Sequence, residues 1–393
     1  MLKELLNHKE KKVEYIELIY DLMFVYILRR NCSLLHHIED GFIPLQTYLT
    51  GIVIILTVLQ IWYYTTAFIN RYGTNSIAEY VMLFINMFLL YYMADTADAS
   101  WQDQYTQFCV AWALILINIA VQYCLKLRSD AGRNPLFRKH ILFSVCLLAG
   151  EAVIVLISVP VFRATGLTLA PVAMAAGVQA VLTAGRRVAS SVPADFGHLS
   201  ERVMLFVVLT FGEMIISLSD YFSGAITFRS VYFALMGFLI VAGLFFTYGY
   251  CYDHIIDREK VTPGIGYVMV HILLVTVMTN ITVALELMRE PEADEAKKVV
   301  FLVISFILFF VFLFLLLPYA KPYHKPSRAF LLIIGALTAA FAVLMAALYR
   351  DNVASIAVSA GYIYSMFTAT VVIGVKASRK NAAMNAQNAD RSA

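Results

Sequence analysis

Charge is what this sequence has least of. Asp, Glu, Lys and Arg make up 15% of 393 residues, against 61% for hydrophobic side chains, a balance that ordinary soluble domains do not show. Cysteine is sparse as well: Cys32, Cys109, Cys124, Cys146 and Cys251 are scattered without C-x-x-C spacing and read as small core residues rather than disulfides or zinc ligands. The chain has no G-x-x-x-x-G-K-[ST], no G-x-G-x-x-G and no G-x-S-x-G, and its eight histidines form no H-E-x-x-H. ATP-driven pumping and ordinary hydrolase chemistry are therefore disfavoured, an enzyme is not expected, and neither a metal nor a cofactor is called for. The net charge of +3 comes without any basic run interleaved with aromatics, so nucleic acid is not an expected partner.

What is there is apolar sequence in blocks of about 17 to 28 residues. A helix needs roughly 20 residues to cross the hydrocarbon core, so each block is a candidate span. They fall near 14–30, 47–69, 77–97, 104–125, 140–162, 167–185, 202–220, 228–252, 263–288, 299–319, 329–349 and 353–375. The expected fold is an all-α polytopic membrane protein of about twelve transmembrane helices, with the lipid bilayer as its first partner. Charge supports that number, because short cytoplasmic loops accumulate Lys and Arg. With the N-terminus inside, 22 of the 30 basic residues fall on the cytoplasmic side, including Lys3, Lys9, Lys11, Arg71, Lys126, Arg187, Arg258, Lys325 and Lys376. Dropping one helix destroys this alternation. The plasma membrane, with both termini cytoplasmic, is the expected location. Glu14, Glu17 and Asp21 interrupt the first apolar stretch, so it reads as a retained helix rather than a signal peptide.

The two halves look alike. The first span carries an acid in ELIYDLMFVYIL and the seventh in VVLTFGEMIISL; the second ends in WYYTTAFINR and the eighth in FFTYGYCYD; Tyr80-Val81-Met82 in the third is matched by Tyr267-Val268-Met269 in the ninth. Such matches suggest a parallel six-plus-six repeat. The expected division is residues 1–195, residues 196–376 and a disordered cytoplasmic tail over 377–393. A homodimer is an arrangement open to such bundles.

An acid deep in a span costs about 2.5–3.5 kcal/mol on insertion scales and is a functional candidate by default. Glu14, Glu17 and Asp21 are spaced i, i+3, i+7, which places them on one stripe of a helix. Three carboxylates there require raised proton affinity or cationic partners; the bland alternative is that Asp21 pairs with a basic residue to fix the bundle. Glu151 in the fifth span and Glu213 in the seventh are the other deep acids. Arg202 lies eleven residues before Glu213, roughly 16 Å along a helix axis, and reads as a cytoplasmic-end anchor or as the partner of another helix, the first included. Asn70, Arg71 and His271 are softer candidates, since intramembrane polar groups commonly bond between helices. The cluster Trp62-Tyr63-Tyr64 reads as an interfacial aromatic belt.

The segment VEYIELIYDLMFVYIL at 13–28, with Glu17 and Asp21, resembles the opening signature of the low temperature requirement A (LtrA) family, close to V-E-L-F-F-D-L-V-F-V-F. The aromatic run before Asn70-Arg71 and the segment HLSERVMLFVVLTFGEMIISL, similar to E-R-x-x-L-F-x-x-x-L-G-E, extend that resemblance across most of the chain. Tyr20 and Thr210-Phe211 depart from the pattern, and the histidine motif around His271 is partly kept. Membership implies a multi-pass membrane protein and no agreed substrate. A looser likeness is to two-repeat cation channels with an Asp opening an apolar run in the first helix of each repeat. The expectation that follows is a proton- or cation-coupled secondary transporter of a small solute, with Asp21 and Glu213 at its centre and Glu17 as relay. A cation or proton channel is the alternative, and a membrane-embedded enzyme or scaffold a further one.

Overall fold

The computed structural model describes residues 12–96, 101–192, 194–222, 226–324 and 327–392; Lys3, Lys9, Lys11 and Lys325 lie outside them. Among the described residues there is no β-strand, and a helix stands at each of the twelve expected positions. In chain order these are α1 Tyr15–Leu34, α2 Leu45–Tyr72, α3 Ile77–Asp95, α4 Trp101–Lys126, α5 Pro135–Thr165 and α6 Ala170–Ala180. There follow α7 Phe196–Ser217, α8 Phe228–Tyr250, α9 Ile265–Leu287, α10 Glu295–Phe314, α11 Arg328–Leu348 and α12 Asn352–Ser392. Helix α6 runs on through a π-helical turn at Val181–Gly185, and α8 through another at Cys251–Ile255. Nine helices of the described residues are long and apolar enough to cross a membrane. The other three are the interrupted α6, α1 with Glu17 and Asp21, and α7 with Arg202.

Local signals set the boundaries. Asn134 caps α5 by accepting from the Leu136 N–H, with Pro135 in the first turn, and Gly166 at φ 74° ends it; proline suits a helix start, and a left-handed residue after the last turn suits glycine. Ser76, Asp294 and Ser327 cap α3, α10 and α11 with side-chain oxygens, each satisfying backbone donors that the helix leaves over.

The chain divides into two compact units. The first holds residues 1–37, 43–209 and 258–272; the second holds 38–42, 210–257 and 273–393. The division falls within α7 rather than at 195/196, because the first half of α7 is bonded to α1 and α2, as described below. In the first unit α2 is central. Its apolar residues run all round the helix, and Thr57, Gln60, Thr65, Thr66 and Asn70 are buried with them; a helix of that kind belongs inside a bundle. Helices α4 and α5 pack along their lengths, with the Tyr105 and Ser158 hydroxyls bonded at one end and the Tyr123 and His140 rings adjacent at the other. Asn118 of α4 donates to Asn86 and to the Met82 carbonyl of α3.

In the second unit α8 packs on α12, where Gly243 meets Ile363 and Tyr250 donates to the Val371 carbonyl. Phe341 of α11 stacks on Tyr362 of α12 at 4.1 Å. The segment from Ala377, expected without regular structure, continues α12 to Ser392; its alanines are strong helix formers. The cysteines are free, with Cys32, Cys109 and Cys251 buried and Cys124 and Cys146 exposed.

Candidate functional site

The densest polar cluster of the first unit is built where α1 and α7 begin. Glu17 and Asp21 are four residues apart on α1, so one helical face carries both toward α7. From α7, the Arg202 guanidinium enters between them: Nη1 donates to Glu17 Oε2 at 2.8 Å, Nη2 to Asp21 Oδ1 at 2.8 Å and Nε to Asp21 Oδ2 at 3.3 Å. His198, one turn earlier, reaches Glu17 Oε1 through Nε2 at 3.3 Å. Helix α2 closes the cluster with Trp62, whose Nε1 donates to Asp21 Oδ1 at 2.8 Å and whose ring stacks on Phe206 at 4.7 Å. Arg202 and Asp21 are 0% exposed and Glu17 1%, so this is a desolvated ion network and not a surface salt bridge.

Asn70 fixes the protonation pattern. Its Oδ1 accepts the Asp195 N–H at 3.1 Å and its Nδ2 donates to the Asp195 carbonyl at 2.8 Å. A backbone N–H can only donate, so the amide orientation is settled. The same Nδ2 lies 3.0 Å from His198 Nδ1, which must therefore accept. A neutral His198 ring then carries its proton on Nε2, directed at Glu17. Asp21 faces three N–H donors, and Glu17 is met by Arg202 and His198. Two carboxyl groups thus share one guanidinium.

A second polar cluster lies elsewhere in the first unit. Glu151 of α5 receives its polar partners from α2: Tyr64 donates to Oε2 at 2.6 Å and Gln60 Nε2 lies 3.3 Å from the same oxygen. Gln60 also reaches the Tyr64 hydroxyl at 2.7 Å and the Met174 carbonyl of α6 at 3.3 Å.

Several expected site residues thus come together and others do not. Glu17, Asp21, Arg202 and Asn70 form one network. Glu14 stands at the start of α1, where its backbone N–H faces Glu17 Oε1 at 3.5 Å. Arg71 turns aside to the Pro263 carbonyl at 3.1 Å. His271 is buried with Nδ1 2.8 Å from the Tyr267 carbonyl, one turn back on α9. Glu213 falls in the second unit and is partly exposed. Trp62, Tyr63 and Tyr64, expected as an interfacial belt, are buried. His198, Gln60 and Gly177 are not among the sequence candidates, and Tyr64 is there only as part of an aromatic belt. His198 could have been, since it lies four residues before Arg202 and so on the same helical face, and a glutamine inside the apolar run TVLQIW is a signal of its own.

The match to a family model for the bacterial low temperature requirement A protein, LtrA, covers residues 12–363. The chain belongs to the LtrA family. Comparison with curated proteins and with solved structures gave no match. In this LtrA family membrane protein, Glu17 and Asp21 of α1 and Arg202 of α7 are opposite halves of one buried network.

Replacing Trp62 with Phe removes the N–H given to Asp21 while keeping a ring on Phe206. A hydrogen bond to a charged group contributes about 1.5–3 kcal/mol, and a loss of that order is expected in thermal unfolding of the detergent-solubilised protein. Trp112→Phe is the control, because that indole N–H has no partner among the described residues; it should cost less.

Proposed function

We propose that this LtrA family protein is a proton-coupled secondary transporter of a small solute, with twelve spans in the plasma membrane and both termini cytoplasmic. The observation that carries the reading is the fully buried His198–Glu17–Arg202–Asp21 network, in which two carboxyl groups share one guanidinium. Buried ionisable groups within spans mark proton and ion pathways, and this one has a mechanical outlet.

A proton added to His198 must sit on Nδ1, where it meets the amide N–H of Asn70 head on. Asn70 also holds Asp195 by two backbone bonds, so the added proton works against the clamp on the segment leading into α7. Proton occupancy and the position of that segment then bias one another, which is the requirement for coupling a proton to a change of access. Glu213, further along α7, is the second acid proposed for the coupling path, and a solute that binds only one arrangement would draw the proton with it.

The test is purified protein in liposomes loaded with a pH-sensitive dye and challenged with amino acids, amines, organic acids and sugars under an imposed proton gradient. Saturable, solute-dependent proton movement is expected in the wild type. It should be abolished by Asp21→Asn and reduced by Glu213→Gln at equal amounts of folded protein. Proton movement with none of these solutes, or movement unchanged in Asp21→Asn, would count against the transporter. Flux without saturation would indicate a channel.

A further inference from the structure

Glu151 occupies the middle of the 31-residue helix α5, roughly 20 Å or more from either end at 1.5 Å per residue. It is 2% exposed. The stretches that surround it carry no counter-charge: Ile55–Thr66 of α2, Cys109–Ile119 of α4, which the pairing of Tyr105 with Ser158 and of Tyr123 with His140 sets level with it, and Ala170–Ala180 of α6 contain no Asp, Glu, Lys, Arg or His. Both close donors, Tyr64 and Gln60, are directed at Oε2. Glu151 Oε1 and Gln60 Oε1 are buried without a hydrogen-bond partner among the described residues.

The neighbouring backbone is shaped to this cluster. A Cβ on Gly177 of α6 would collide with Gln60 Nε2, Glu151 Oε2 and the Tyr64 hydroxyl, so only glycine lets α6 lie over the carboxyl. Beside it is a cavity of about 30 Å³ lined by Tyr64 together with Tyr63, Arg71, Tyr123, His140 and Ser144, enough for a water molecule or two. The π-helical turn of α6 contributes Val181 and Gly185 to the same cavity, and such turns recur at functional sites.

We propose that Glu151 is a proton-exchange site, distinct from the Arg202 network, that holds one proton within the bundle and trades it with the cavity through Tyr64. With the Tyr64 O–H turned from Oε2 to a cavity water and the carboxyl O–H turned to the Tyr64 oxygen, the carboxyl proton passes to that oxygen as the hydroxyl proton passes to the water, leaving a carboxylate, a neutral tyrosine and a protonated water. The charged and titratable groups around that water are Arg71, His140, Tyr63 and Tyr123. A metal cation fits less well. Two unpartnered acceptor oxygens fall short of the six to eight that Ca²⁺ takes and the six of Mg²⁺, and the Gln60 amide N–H group fills the space beside the others. The inference deepens the proton-coupling reading but is measured without transport, so each can fail alone.

The experiment is infrared difference spectroscopy of the full chain in lipid nanodiscs, titrated from acid to alkaline pH. A protonated-carboxyl C=O band is expected at neutral pH in the wild type. It should be lost in Glu151→Gln and shifted to higher frequency in Tyr64→Phe, which withdraws a hydrogen bond. Identical spectra for wild type and Glu151→Gln overturn the proposal. Should Glu151→Gln not fold, a band unmoved by Tyr64→Phe overturns it as well. Loss of the band on adding Na⁺ at fixed pH also overturns it, since the site would then take a metal cation.

Discussion

Arg202→Met is expected to lower stability by about 3–5 kcal/mol, the cost of breaking a buried ion pair by removing one partner. Glu17 and Asp21 would be left in an enclosure with 1% and 0% exposure, with His198 still facing Glu17 and Trp62 still facing Asp21. Thermal unfolding of the solubilised protein, read as recovery of the monodisperse peak after heating, measures the loss. The compound variant Glu17→Gln, Asp21→Asn, Arg202→Met should recover most of it. Removing a whole buried network is often neutral or stabilising, and the new amides still offer oxygens to the His198 and Trp62 N–H groups. Arg202→Met melting with the wild type would mean that the carboxylates do not depend on this guanidinium.

Gly177→Val should have the next largest effect. Its side chain would have to occupy space held by Gln60, Glu151 and Tyr64, and overpacking of that kind costs about 1–3 kcal/mol. Gly150→Ala on α5 is the matched control: a Cβ there meets nothing within 4 Å, and alanine favours a helix over glycine by about 0.5–1 kcal/mol. The expected result is a lower melting temperature for Gly177→Val and an unchanged or higher one for Gly150→Ala. Equal melting of both variants would mean that α6 does not lie against the carboxyl.

The helices could be read from sequence because lipid imposes length and apolarity on each segment separately. The site was readable only in part, because it is made of pairings between distant segments. The i, i+4 relation of Glu17 and Asp21 showed a shared face, and Arg202 was an evident cation in search of a partner. Nothing local says that Asn70 meets His198, 128 residues later, or that Trp62 turns its N–H inward to Asp21. The aromatic run at 62–64 misled for that reason: its rings suit an interface, but α2 is apolar on all sides and is enclosed, so they pack inward. Glu151 looked isolated because its company comes from α2, 87 and 91 residues away. The expected end of structure at Ala377 failed for a different cause, since polarity argued for a loop while alanine content favoured continuing α12.

The central claim is that the Arg202 network carries a coupling proton and does not merely fasten α1 to α7. The most direct test is solute-linked proton movement in liposomes containing the compound variant Glu17→Gln, Asp21→Asn, Arg202→Met, which keeps the packing and removes the charges. Folded protein that no longer moves protons with any solute that drives them in the wild type is the predicted result. Wild-type proton movement in that variant would contradict it and leave the network as a structural fastening alone.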